Sequence, residues 1–211
     1  MTTVERETLE PRIRAFCDAG DTKKAATLLL EGYGREILGF LMSRLRDHDA
    51  AEEVFSRFTE DLWRSLDGFR WQCSARVWAY TLARHASSHY IREARRRRAH
   101  DTPLSSAGPL SEIGEKIRTA TLASRQTASR TRIAQLRERL PPDDQTLLIL
   151  RINRGLGWTE IAMVMFHEGE AVQESILEKE SVRLRKRYQS AKEKLQKMSI
   201  EEGLVRGGER S

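Results

Sequence analysis

Two stretches of the chain concentrate cationic side chains densely enough to neutralise a polyanion. Arg84, Arg92, Arg95, Arg96, Arg97 and Arg98 are opposed only by Glu93, and Arg183, Arg185, Lys186, Arg187, Lys192, Lys194 and Lys197 form a second run. Arginine pairs bidentately with guanine, and lysine neutralises phosphate as a point charge. Two separate basic helices therefore suit an extended nucleic acid touched at two places. A solvated helix face is the plainer reading of any single run. In the first run Arg84, Ser88, Arg92 and Arg95 recur at helical intervals and share one face, with His85 and His89 beside them. Phe69, Trp71 and Tyr90 are candidates to stack on an unpaired base, although core burial claims at least one of them.

Catalytic chemistry finds little support. His85 and His89 have the spacing of a helical zinc site, but Ala86 stands where a general-base glutamate would be needed and a third ligand is not evident. The chain has no glycine-rich phosphate loop, and its serines lack histidine and acid partners. The expectation is a protein that is not an enzyme and uses no cofactor or metal.

The elements that must position these residues are helices. Of 211 residues, 39% are hydrophobic and 32% charged, with a net charge of +6, as in a globular chain of one or two domains. No apolar run approaches the roughly 20 residues of a membrane span, and Met1 to Arg14 is too charged for a signal peptide. Cys17 and Cys73 are far apart and suit a reducing compartment, so the expected address is cytoplasmic, with no membrane partner. Strand-like alternation is nearly absent, and the expected fold is all-α, with two small helical domains joined by a flexible linker.

The first domain is expected over residues 1–100. A helix runs to Ala19 and ends at Gly20, and a second spans about Asp21 to Leu45 with Leu28, Leu29, Ile37, Leu38, Leu41 and Leu45 inward. A third, capped by Asp47 or Asp49, carries Ala51, Phe55, Phe58, Leu62 and Leu66 and stops at Gly68. A fourth starts near Ser74, with Val77, Trp78, Thr81, Leu82, Ala86 and Ile91 inward. Residues 101–128, rich in Ser, Thr, Pro and Gly, read as the linker, with one weak helix between Ser111 and Thr121. The second domain covers 129–198, and 199–211 is a frayed tail.

In the second domain, LPPDDQTLLILRINRGLGWTEIA (Leu140 to Ala162) places prolines at a helix start, a turn at Asn153, Gly155 and Gly157, and a short helix from about Thr159. A long basic helix follows, in which Leu177, Leu184, Tyr188, Ala191, Leu195 and Met198 form the packing stripe. Arg183, Lys186, Arg187 and Ser190 lie elsewhere on its circumference. Helix, turn, short helix, turn, basic helix is a helix-turn-helix arrangement whose last helix can enter the DNA major groove.

These motifs resemble the extracytoplasmic-function (ECF) type of RNA polymerase sigma factors in the sigma-70 family. LPPDDQTLLILR with GLGWTEIA is similar to the minus-thirty-five-binding domain. Tyr33 to Leu38, the acidic segment Ala51 to Phe55 ending Leu62-Trp63-Arg64, Phe69-Arg70, and Trp78 to Arg84 with its arginine tail resemble the polymerase-binding and minus-ten-reading segments. The resemblance implies that the chain binds core RNA polymerase and promoter DNA in transcription initiation. It assigns polymerase docking to Glu52, Glu53, Ser56 and Glu60. Minus-ten contacts fall to Phe69, Arg70, Trp71, Gln72, Arg84, His85, Ser88, His89, Arg92, Arg95 and Arg96, with the loop from about Asp67 to Ala75 holding a flipped base. Minus-thirty-five contacts fall to Thr159, Glu180, Ser181, Arg183, Lys186, Arg187 and Ser190.

Two departures from the family pattern stand out. Where relatives resemble a Gln-Glu pair on the docking helix, this chain has Ser56-Arg57. Phosphorylation of Ser56, or of Thr59 nearby, would restore negative charge there, about −1.5 to −2 per phosphate. Some relatives are controlled by a Ser/Thr kinase in this way, and many others by an anti-sigma factor. The competing expectation is that Glu52, Glu53, Glu60 and Asp61 already suffice. The second departure is the acidic segment His167 to Ser175, which either starts the basic helix early near Ala171 or forms a short helix before it. Two rival readings stay open: an autonomous helix-turn-helix regulator that binds duplex DNA without polymerase, and an all-helical adaptor for an acidic protein.

Overall fold

The computed structural model describes residues 3–97, 132–166 and 173–204, and among them every regular element is helical. The chain divides into two compact units, Met1–Arg125 and Gln126–Ser211. The expected linker and its weak helix between Ser111 and Thr121 lie outside the described residues, as does most of His167 to Ser175. Among the described residues no helix is long and apolar enough to cross a membrane.

The first unit is built on helices α1 (Thr3–Asp18), α2 (Thr22–Leu45), α3 (His48–Ser65) and α4 (Ala75–Arg97), with a single 3-10 turn at Leu66–Gly68. Gly20, at φ 72, takes the left-handed conformation that turns the chain from α1 into α2. The Asp21 carboxylate then caps α2 by accepting from the Lys24 N–H at 3.1 Å. Helix α2 is central. Leu29, Leu30, Tyr33, Ile37, Leu38, Phe40 and Leu41 are almost wholly buried, a wider arc than the inward face its leucine spacing predicts. The reason is that α2 packs against α1, α3 and α4 together, so apolar residues are needed on several sides. Leu28 and Leu45, expected inside, are only half-buried. Gly32 lets α1 approach, because a Cβ there would lie 2.2 Å from a methyl carbon of Leu9.

Asp47 caps α3 by accepting from the Ala50 N–H at 3.1 Å. The expected stripe of Ala51, Phe55, Phe58, Leu62 and Leu66 is buried as its spacing requires. Each such side chain contributes about 1.5–3 kcal/mol when fully removed from water. Helix α4 buries Val77, Ala79, Tyr80, Ala83 and Ala86, and Tyr80 meets Phe40 edge-on at 5.4 Å. Trp78, Leu82 and Ile91, expected inside, remain half-buried.

The second unit comprises α5 (Arg132–Arg137), α6 (Pro142–Leu148), a π turn at Ile149–Asn153, α7 (Trp158–Phe166) and α8 (Glu174–Glu201). Pro142 opens α6 at a position where a missing N–H costs nothing. After the π turn, Gly155 at φ 67 redirects the chain into α7. Leu177, Leu184 and Ala191 of α8 are buried, and Tyr188, Leu195 and Met198 pack beside Leu140, Leu148 and Ala191.

Candidate partner and nucleic-acid interfaces

Three of the residues expected to dock on a partner, Glu53, Ser56 and Glu60, line one cleft of about 690 Å³ between α3 and α4, together with His85 and His89 of the expected DNA set. The two predicted sets are thus neighbours across a single groove. Glu52, Glu53, Ser56 and Glu60 are all half-buried, and the Ser56 hydroxyl donates to the Glu52 carbonyl at 3.1 Å. Thr59 corrects the sequence reading. It is 7% exposed and its hydroxyl donates to the Ser56 carbonyl at 2.7 Å, so it faces inward and offers a kinase no access.

Arg57 spans the groove. Its guanidinium donates to Glu53 at 2.7 Å within α3 and to Glu93 at 2.6 Å on α4. Burial opposes its charge, but the hydrogen bonds and the two carboxylates outweigh that and hold it more firmly protonated than usual. Burial likewise pushes the Asp61 carboxyl up, against the opposing pull of Arg64. His89 lies 3.5 Å from Glu93. Among the described residues no group of three His, Cys, Asp or Glu side chains is arranged to hold a metal ion.

On α4, Arg92 and Arg96 are exposed and Arg84 is half-buried, while the side chains of Arg95 and Arg97 lie outside the described residues. Ser88 is not an independent polar contact, because Arg44 of α2 donates to it at 3.2 Å and to Ser87 at 2.8 Å. Arg44 adds a cation to this side of the unit that the periodicity of α4 could not reveal.

The loop before α4 is ordered by its aromatics. Phe69 stacks on Trp78 at 4.5 Å with planes 17° apart, and Trp71 leans on Phe69 at 4.7 Å. Trp71 has φ 55, a left-handed conformation costing a bulky side chain about 1–3 kcal/mol. Phe69 is therefore engaged within the protein, while Arg70 and Gln72 are exposed and Trp71 is partly so.

The Ala75 and Arg76 N–H groups donate to the Glu10 carboxylate at 2.8 and 3.1 Å, and the Tyr33 hydroxyl donates to it at 2.8 Å. Burial and the neighbouring Glu10 drive the Tyr33 hydroxyl far above its usual pKa, so it stays a donor. The Arg76 side chain pairs with Glu36 at 2.6 Å, the two side chains being 11% and 13% exposed. None of these partners is adjacent in sequence, and none was legible there.

In the second unit the outward arc of α8, opposite Leu177, Leu184 and Ala191, carries exposed Lys179, Val182, Lys186, Gln189 and Ser190. Two predicted contacts need correction. Ser181 is 5% exposed and donates to the Leu177 carbonyl at 2.7 Å, so it belongs to the core face. Arg187 is committed to α6, with Nε 2.5 Å from Asp144 and a terminal nitrogen 3.7 Å from Asp143. Glu180 is half-buried and accepts from Arg183 at 2.7 Å. Thr159 is exposed in the first turn of α7. Trp158 beside it lies under the Arg151 guanidinium at 4.7 Å and meets Tyr188 edge-on at 5.4 Å, which fixes α7 against α8.

Residues 29–97, which contain most of α2 and all of α3 and α4, match the family Sigma-70 region 2. The chain is 25% identical to the ECF RNA polymerase sigma-E factor of Haemophilus influenzae over 146 residues, 68% of this chain and 77% of that protein. It is 27% identical to the RNA polymerase sigma-H factor of Pseudomonas aeruginosa over 147 residues, 68% of this chain and 76% of that protein. Both likenesses, and the region 2 match, point to the sigma factors of RNA polymerase. The matched segment is the one that holds the α3–α4 groove, the aromatic loop and the cationic side of α4.

Proposed function

We propose that the chain binds core RNA polymerase and directs it to specific promoters by reading the minus-ten and minus-thirty-five elements. Residues 1–100 form the polymerase-binding and minus-ten domain, 101–128 the linker, 129–198 the minus-thirty-five domain, and 199–211 the tail. The observation that carries this reading is the juxtaposition, inside the region 2 segment, of an acidic α3 with a strongly cationic α4. Polymerase meets Glu52, Glu53, Ser56 and Glu60 on α3. Single-stranded DNA meets Arg70, Trp71 and Gln72 of the loop and Arg84, His85, His89, Arg92, Arg95 and Arg96 of α4. Lys186, Ser190, Arg183 and Thr159 supply the minus-thirty-five contacts, joined by Lys179 and Gln189.

Phosphorylation at Ser56 is the regulatory step in this account, with a Ser/Thr kinase as partner. Ser56 lines the groove, Arg57 beside it neutralises Glu53, and a phosphate adds about −1.5 to −2 of charge where the docking helix is short of it. Thr59, being buried, drops out. An anti-sigma factor is the rival means of control, and the cytoplasm is where either acts. The test is co-elution with bacterial core polymerase and promoter-dependent transcription by the wild-type chain, Ser56→Glu and Ser56→Ala. Tighter docking by Ser56→Glu, with loss of transcription by Ser56→Ala in kinase-positive cells, supports the switch. Identical behaviour of all three refutes it and leaves the sigma role intact. Tight duplex binding by the chain alone, with no polymerase association, favours the autonomous regulator.

A further inference from the structure

We propose that α1, which precedes the segment matched to region 2, is a working part of the minus-ten reader, with Glu10 and Arg14 as positioning residues for Trp71. The inference rests on the reading of the aromatic loop as the minus-ten site. Glu10 and Arg14 are one helical turn apart and so project from the same side of α1. Glu10 holds the downstream end of the loop segment and Arg14 its tryptophan.

Glu10 anchors its downstream end. Its carboxylate accepts from the Ala75 and Arg76 N–H groups at 2.8 and 3.1 Å, while Ser74 Oγ accepts from Val77 N–H at 3.2 Å. The first turn of α4 is thus capped by one local side chain and one from a distant helix. A carboxylate at this end is also favoured by the helix dipole. The buried Tyr33 hydroxyl fixes Glu10 in turn, at 2.8 Å.

Arg14 reaches the loop itself. Its guanidinium carbon lies 5.5 Å from the centre of the Trp71 ring, within the range of a cation–π contact. Trp71 is the bulky residue of the loop that takes a left-handed backbone, at φ 55, and such a conformation persists only where surrounding contacts impose it. At the upstream end Thr22 donates to the Asp67 carboxylate. The loop is therefore held from outside at both ends, and its strained tryptophan is held by Arg14. A base stacking on Trp71 meets a ring whose orientation is already set, so less ordering is lost on binding.

The test uses the chain assembled on core polymerase. The probe is the single-stranded DNA that this holoenzyme enriches from a random-sequence pool, and affinity for core is measured alongside. Arg14 is well exposed, so Arg14→Ala leaves folding intact. It is expected to weaken capture of the probe about two- to fivefold, with core affinity unchanged. Arg14→Lys, which keeps the cation over the ring, restores capture. Glu10→Gln, which keeps the shape but loses the charge, weakens it in the same sense. Trp71→Ala loses capture almost entirely. Unchanged or tighter capture by Arg14→Ala, failure of Arg14→Lys to rescue, or a parallel fall in core affinity overturns the role of α1. Wild-type capture by Trp71→Ala overturns the minus-ten reading of the loop, and the inference with it.

Discussion

Arg57 on α3 and Glu93 on α4 meet at 2.6 Å across the groove that Ser56 lines, and the same guanidinium takes Glu53 at 2.7 Å. Helix α3 thus carries an internal counter-ion that covers one of its own carboxylates. With Arg57 about 30% and Glu93 about 35% exposed, such a pair adds little to stability, in the range of about 0–1 kcal/mol. Its larger effect is on the charge a partner meets.

Arg57→Gln should accordingly leave the melting temperature nearly unchanged while tightening core polymerase binding about fivefold, the equivalent of ~1 kcal/mol. Competition binding against a labelled sigma factor measures this. Weaker binding by Arg57→Gln would show that polymerase uses the arginine itself.

The Glu36–Arg76 pair is the opposite case, because both side chains are nearly buried. Glu36→Gln removes the charge paired with a nearly buried guanidinium and should cost up to about 3–5 kcal/mol. Replacing both residues with methionine should recover most of the loss, since paired apolar groups of similar volume avoid the desolvation penalty. Urea denaturation of the single and double variants decides it.

Cys17 reports on the contact between α1 and the loop. Burial, then the charges of Asp18 and Asp67, push its thiol above the ordinary range. A raised thiol pKa means less thiolate at a given pH, so alkylation should be slow near neutrality and rise only at more alkaline pH than for an unhindered cysteine. Asp67→Asn removes one of the charges and should shift the labelling curve to lower pH. An unchanged curve would mean that Asp67 is not near Cys17 in solution.

In the second unit Arg187 and Lys186 should separate cleanly. Arg187→Ala strips the buried Asp144 of its partner and should destabilise the unit by about 1–3 kcal/mol. Lys186→Ala, on the outward arc, should leave stability alone and reduce the salt dependence of duplex binding by about one unit of slope. Thermal melts and binding at several salt concentrations check both halves.

What the chain discloses by periodicity it discloses well. The stripe of Ala51, Phe55, Phe58 and Leu62, the cap at Asp47, the break at Gly20 and the core edge of α8 all follow from local spacing, and the structure reproduces them. The same spacing also explains why Ser181, expected as a DNA contact, is buried, since it lies four residues after Leu177 and three before Leu184. Long-range partners leave no such trace. Glu10 caps a helix that begins 65 residues later, and Arg187 finds Asp144 at a separation of 43. Arg57 reads as a simple loss of acidity in the sequence, whereas the structure makes it a tie to Glu93. The aromatic loop lay between these extremes, since residue types marked Phe69 and Trp71 but only the fold shows Phe69 already stacked on Trp78.

The most direct test of the central claim is transcription in vitro by bacterial core polymerase supplied with the purified chain, with co-elution followed on the same samples. The expected result is a stable complex of the chain, or of its Ser56→Glu form, with core, and transcripts that begin at defined promoters. No complex and no defined start with either form, while the chain alone binds duplex DNA in a salt-sensitive manner, would contradict it.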